Sequence, residues 1–386
     1  MKSHFSKFLG NRPDRLHFAA HSHHPWPDVT FQAQQQAWLD AAELMDDKWD
    51  RVFDQVMPES QRHIATRLNL SDPGAIAFAP SVHSLLMRVL SSLPSPVRIL
   101  TTDAEFHSFA RQVHRLEEDG LAVVERVTAE PFSTFPERLA ARAARGGHDL
   151  VYFSHVHFNS GYVTPDLAAI VHAVKSTDTF VVIDAYHGFM ALPTDLSDIE
   201  GRAFYTAGGY KYAMAGEGVC FLHCPPGYAM RPVDTGWFAG FGDLTAPPRP
   251  GLVPYPADGR RFLGGTFDPT GLYRFNAVQR WLDGLGLSVA AIHDHVRRLE
   301  TSFLAKSESL LEQATLVPAR DEVPDRGHFL TFRFPDAGTV YERLHASGVV
   351  TDLRGDRLRI GFGIYHDEDD VEELLRRLGT VLVTTG

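Results

Sequence analysis

Two stretches of the chain carry residue types that could hold a carbonyl cofactor. Val181-Val182-Ile183-Asp184-Ala185-Tyr186-His187-Gly188 ends an apolar run on an acid, and Ala207-Gly208-Gly209-Tyr210-Lys211-Tyr212 sets a lone lysine on a glycine-rich turn. An amine forms a Schiff base with an aldehyde, and an acid keeps a pyridine nitrogen protonated so that its ring can accept electrons. Together they point to pyridoxal 5'-phosphate. Lysine suits the task because burial near other cationic charge lowers its pKa and frees the amine. Taken singly, Asp184 reads as a turn cap and Lys211 as a solvated side chain. The strand end, the neighbouring His187 and the Tyr-Lys-Tyr after two glycines are a combination that surface patterning does not explain.

These groups need a sheet edge to hold them. From Ala75 to Cys224, short apolar runs alternate with amphipathic segments, as in a mostly parallel sheet covered by helices. The expected strands are Ala75–Phe78, Val97–Thr101, Ala122–Arg126, Leu150–Ser154, Phe180–Asp184, Ala203–Thr206 and Gly218–His223. Helical spacing covers Ser81–Ser92, Phe106–Glu118, Phe135–Ala144 and Pro165–Lys175. Proline and glycine make Arg231–Thr270 a stretch of extended loops. Long helices follow over Leu272–Leu285 and Ser288–Ala314. The tail then reads strand, helix, strand, strand, helix over Phe329–Phe334, Thr339–Ser347, Val349–Asp352, Arg357–Ile360 and Glu368–Leu378. A chain of 386 residues exceeds one growing core. We expect an α/β fold in three parts. Residues 1–60 serve the small domain and the active-site mouth, 61–270 form the large cofactor domain, and 271–386 form a small α+β domain.

Asp-x-x-His followed by Gly-Tyr-Lys-Tyr resembles the class V aminotransferase superfamily, of pyridoxal phosphate fold type I, and within it kynureninase most closely. The likeness continues through Ser154-His155-Val156 to Gly161 and Pro165, Gly236-Trp237-Phe238, Arg261-Phe262-Leu263-Gly264-Gly265-Thr266, Gly348 to Arg354, and Leu358-Arg359-Ile360 to Tyr365. It spans about Ala75 to Leu378 in consistent order. The resemblance implies that Lys211 holds the cofactor, Asp184 partners the pyridine and His187 stands beside it. It makes Tyr210 the tyrosine that touches the phosphate and assists proton transfer, and Phe106 the ring stacked on the cofactor. Ser81 and Val82, before a helical segment, would offer phosphate donors; Ser81 replaces the threonine these enzymes usually carry near Ala79. Thr266 would come from a partner subunit, implying a homodimer with shared sites. Arg359 would bind the substrate α-carboxylate with its two-pronged guanidinium, and Trp237 would face the substrate side chain.

The reaction implied is hydrolytic Cβ–Cγ cleavage of a kynurenine-type amino acid. Asp46 to Trp49 and Phe267-Asp268-Pro269 stand where kynureninases carry their side-chain contacts, and they differ from that pattern. The alternatives are transamination or β-elimination on another amino acid, and a non-catalytic binding protein on the same scaffold. Cys220 and Cys224 are the only cysteines. They make no disulfide framework, read as buried inert thiols, and are not placed like a desulfurase nucleophile. His17, His21, His23 and His24 crowd one segment without acid or cysteine co-ligands, so no metal is expected; the resemblance implies that this segment lies near the active-site mouth, where they would contact substrate or solvent. The net charge of −11 is spread along the chain, which disfavours nucleic acid and favours a small-molecule partner. No apolar run suggests a membrane span or signal peptide, so a cytoplasmic location is expected.

Overall fold

The structure is a computed structural model that describes residues 1–243 and 251–383. Its strands, in chain order, are β1 (Leu16–His17), β2 (Ile76–Ala79), β3 (Val97–Thr102), β4 (Ala122–Val127), β5 (Leu150–Ser154), β6 (Phe180–Asp184), β7 (Ala203–Gly208), β8 (Cys220–His223), β9 (Thr315–Leu316), β10 (Phe329–Arg333), β11 (Val349–Val350), β12 (Asp352–Arg354) and β13 (Arg357–Gly361).

Seven of them form one sheet in the order β2-β8-β7-β6-β5-β3-β4. β8 runs antiparallel to β2 and β7, and the other pairings are parallel. The central strands are apolar on both faces because helices cover both. Val151, Phe153, Val181, Ile183 and Tyr205 pack on one side, and Leu150, Tyr152, Phe180, Val182 and Phe204 on the other. The parallel register sets Ser154 opposite Asp184 and Asp184 opposite Thr206. The carboxyl ends of β5, β6 and β7 thus share one edge, where open α/β sheets bind ligands.

A four-stranded antiparallel sheet, β12-β13-β10-β9, packs on its own core of Val296, Leu330, Phe332, Leu344, Leu358, Ile360 and Leu374. The N-terminal segment joins it: β1 pairs in parallel with β11, and Phe18 is buried in the same core.

Several expected bounds change, and three of the changes have a clear physical cause. The helix expected over Ser288–Ala314 spans Val289–Lys306, where Ser307 closes it by donating its amide to Phe303 O; the polar Ser307-Glu308-Ser309 interrupts the apolar period. The strand expected over Val349–Asp352 divides into β11 and β12 because the chain changes partner at Thr351, from β1 to β13. β8 begins at Cys220 because Gly218, with φ +86°, turns the chain before it. Of the loop expected over Arg231–Thr270, residues 244–250 lie outside the described residues. The rest includes short 3-10 turns at Trp237–Asp243 and Gly259–Phe262.

Candidate active site

β6 delivers Asp184 to the sheet edge, and β7 runs through Gly208-Gly209 to Tyr210 and Lys211. Glycine is needed at 208, since a Cβ there would fall 2.2 Å from Tyr186 Oη and 2.5 Å from Cys220 Sγ. Lys211 is 4% exposed, with Nζ 2.8 Å from Nε2 of His187. The rings of Tyr186, Phe106 and Tyr210 surround that amine at 4.8, 5.4 and 5.7 Å. Burial lowers the Lys211 pKa to about 7; Arg359 and Arg354 add to the effect, and Asp184 and Asp352 oppose it. A large neutral fraction at physiological pH is what attack on a carbonyl requires. His187 is held well below its ordinary value by burial and by Lys211, so its ring is neutral.

Asp184 is fixed through both oxygens: Tyr152 Oη donates to Oδ2 at 2.8 Å and Tyr186 N donates to Oδ1 at 3.0 Å. Tyr152 is itself stacked on Phe109, with centroids 3.6 Å apart and planes within 6°. A second carboxyl stands close by. Glu105, fully buried, accepts from Thr102 Oγ1 and Ser154 Oγ, each at 2.6 Å. Burial raises it to about 7; hydrogen bonds from Ser154 and Thr102 restrain the rise, and the charge of Asp184 adds to it. Sequence reasoning missed Glu105 and Tyr152. The signal for Glu105 was a charged residue directly before Phe106; nothing in the sequence singles out Tyr152 from other strand residues.

Ser81 caps the helix Val82–Leu90, its Oγ accepting from Ser84 N at 3.1 Å. Ser81 and Val82 line the same cavity as Phe106, Asp184, His187, Tyr210 and Lys211. A near-neutral amine, a fixed carboxylate, an aromatic ring and a helix N-terminus around one cavity match an aldehyde, a pyridine nitrogen, a flat ring and a phosphate. The donor set fits pyridoxal phosphate.

Arg359 is 2% exposed and is not among the residues that line the cavity; its guanidinium lies 6.0 Å from the ring of Phe158, which does. Both prongs of its fork are engaged within the protein. Nη2 forms an ion pair with Asp352 Oδ1 at 2.7 Å and Nη1 donates to Phe158 O, leaving Nε without a partner. Trp237 and Thr266 are not brought to this cavity. They meet each other instead, Trp237 Nε1 donating to Thr266 Oγ1 at 3.0 Å, with Trp237 44% exposed against Phe238 and Phe241. Cys220 lines the cavity but burial pushes its thiol to about 11; Cys224, about 12 for the same reason, lies elsewhere. The N-terminal histidines diverge: His21 is buried against Phe329, His23 lies exposed over Tyr210, and His24 is buried with Nδ1 2.7 Å from Pro25 O.

A family model described as Aminotransferase class-V matches residues 52–374. The chain belongs to the class V aminotransferase family. As a class V enzyme it depends on pyridoxal phosphate and acts on an amino acid. Isopenicillin N epimerase from Streptomyces clavuligerus is 27% identical over 336 residues, 81% of each protein. The cystine C-S lyase C-DES, solved with its product cysteine persulfide, matches with a TM-score of 0.81 at 19% identity, over 96% of this chain and 99% of that one. A cysteine desulfurase from Escherichia coli matches at 0.79 and 14% identity, over 99% and 98%. At these identities the solved structures show the fold. The relatives are by name an epimerase, a lyase and a desulfurase, so the family sets the cofactor and leaves the reaction open. Among the described residues no helix is long and apolar enough to cross a membrane.

Proposed function

We propose that this class V enzyme cleaves the side chain of an α-amino acid in the kynureninase manner, hydrolysing the Cβ–Cγ bond of a kynurenine-type substrate to alanine and an anthranilate. The observation that carries this reading is a second proton donor beside the lysine. Tyr210 lies next to Lys211 and Tyr186, and burial raises its phenol to about 12, so it stays protonated at neutral pH. Transamination asks only that the lysine move a proton, whereas side-chain cleavage also needs a group to protonate the carbon left behind.

When bound, pyridoxal phosphate takes up the electron pair of a bond broken at the substrate Cα. In this reading Lys211 holds the cofactor and moves the Cα proton, and neutral His187 orients its amine. Asp184, fixed by Tyr152, keeps the pyridine nitrogen protonated. Phe106 sets the ring plane, the amides at Ser81 and Val82 receive the phosphate, and Arg359 draws in the carboxylate. The exposed position of Thr266, away from its own cavity, supports a homodimer in which Thr266 of each copy reaches the other's phosphate site, with Trp237 facing the substrate side chain. We place the enzyme in the cytoplasm.

Epimerisation at Cα is the second reading, favoured by the epimerase relative. A desulfurase reading has less support, since both thiols are held protonated by burial. A purely binding role leaves the low pKa of Lys211 without a purpose.

The test incubates holoenzyme with L-kynurenine and 3-hydroxykynurenine, reading fluorescence of the anthranilate product and alanine by chromatography. Release of both supports the hydrolase. In D2O, inversion at Cα with the side chain intact would replace it with the epimerase, and a keto acid would replace it with a transaminase.

A further inference from the structure

The N-terminal histidines have no part in the reading above, yet one is placed like a site residue. Residues 18–24 thread between the two sheets. Gly361 N donates to Phe18 O at 2.7 Å, and His24 N donates to Tyr210 O at 3.0 Å. This pins His21 between β13, which carries Arg359, and the turn that carries Lys211. The imidazole is fully buried and stacked on Phe329, with centroids 4.6 Å apart and planes within 20°. Both of its ring nitrogens lack a hydrogen-bond partner. The same Phe329 ring meets His187 at 5.6 Å and the Arg359 guanidinium at 5.7 Å. The backbone makes room for it: a Cβ on Gly361 would fall 2.0 Å from His21 Nδ1.

Leaving a buried polar group unpaired is costly, so such a group calls for an explanation. Arg359 supplies the complement, since its Nη1 and Nη2 are engaged by Phe158 O and Asp352 while Nε is not. We propose that the substrate α-carboxylate is held by an unlike pair, Arg359 Nε–H and an N–H of His21, rather than by the two-pronged end of the arginine. His21 is then a substrate-binding residue. The inference rests on the assignment of Arg359 to the carboxylate. Burial, with the charges of Arg359 and Lys211 nearby, keeps the His21 ring neutral, so it retains one N–H donor and one acceptor. Such a donor adds a hydrogen bond to the carboxylate without burying another charge.

The test titrates holoenzyme with L-alanine and with L-alaninamide, which keeps the amino group and lacks the carboxylate. Binding is read from the cofactor absorbance, and each variant's thermal unfolding is recorded. His21→Phe keeps the stack on Phe329 and removes the N–H; His21→Gln keeps an N–H. His21→Phe is expected to weaken L-alanine about tenfold or more and leave L-alaninamide within about twofold, and His21→Gln to recover most of the loss. Equal weakening of both ligands, or unchanged alanine affinity, overturns the proposal. Arg359→Gln separates the two assignments. If it weakens alanine selectively and His21→Phe does not, the role of His21 fails alone; if Arg359→Gln is not selective, the carboxylate assignment fails and the pair with it. If His21→Phe does not fold, His21→Leu is read by the same criteria.

Discussion

At the residue scale, the environment of Lys211 decides whether the site works at neutral pH. Its pKa of about 7 means that half the amine is free near neutrality, against roughly one part in a few thousand for an ordinary lysine. The rate at which apo-protein combines with pyridoxal phosphate should therefore rise with pH to a plateau with a midpoint near 7, as stopped-flow absorbance can follow; a midpoint above about 9 would show an unperturbed lysine. Glu105 gives a second prediction. Its folded pKa of about 7 exceeds the ordinary 4.5, so the folded state holds the extra proton between those values and wild-type stability declines as pH rises through them. Glu105→Gln does not titrate. Its stability relative to wild type should increase from pH 5 to pH 8, by about 3 kcal/mol at most, in urea unfolding at each pH. A constant difference would mean that Glu105 is ionised throughout. Lys211, Asp184 and His187 were legible because each lies in a short motif whose chemistry is explicit. Glu105 and Tyr152 were not, because their meaning comes from contacts with distant elements; the histidines of the N-terminal segment were legible as a group near the site, and which of them is buried there was not.

At the element scale, the site depends on where strands stop and one helix starts. Leu150–Ser154 and Phe180–Asp184 were readable to the residue because an apolar run meets a polar one at the strand end. The division of β11 from β12 was not, because it follows from pairing with a segment more than three hundred residues earlier in the chain. The helix that begins after Ser81 carries the next prediction. Its cap accepts from Ser84 N, so Ser81→Ala should cost about 1 kcal/mol of stability. It should also speed the loss of pyridoxal phosphate on dialysis, measured by cofactor absorbance. Stability lost with cofactor retention unchanged would confine Ser81 to capping.

Across the whole molecule, many histidines are packed as neutral rings. Burial lowers His24 and His157 to about 3 and His155 to about 4, and holds His187, His328 and His366 well below the ordinary range. Each binds a proton below about pH 6.5 only when unfolded, so stability present above that pH is lost as it falls. Cooperative acid unfolding is expected between about pH 6 and pH 4, followed by far-UV circular dichroism; a protein stable at pH 3 would show that these rings protonate in place. The two sheets and the segment threading between them come together only in the folded chain, which is why length indicated two cores while the burial of His21 between them was not legible. The central claim is that Lys211 holds the cofactor, and borohydride reduction of holoenzyme followed by peptide mass spectrometry tests it most directly. The account predicts a phosphopyridoxyl mass on Lys211 alone, absent in Lys211→Ala. Attachment to another lysine, or no covalent attachment after reconstitution, would contradict it.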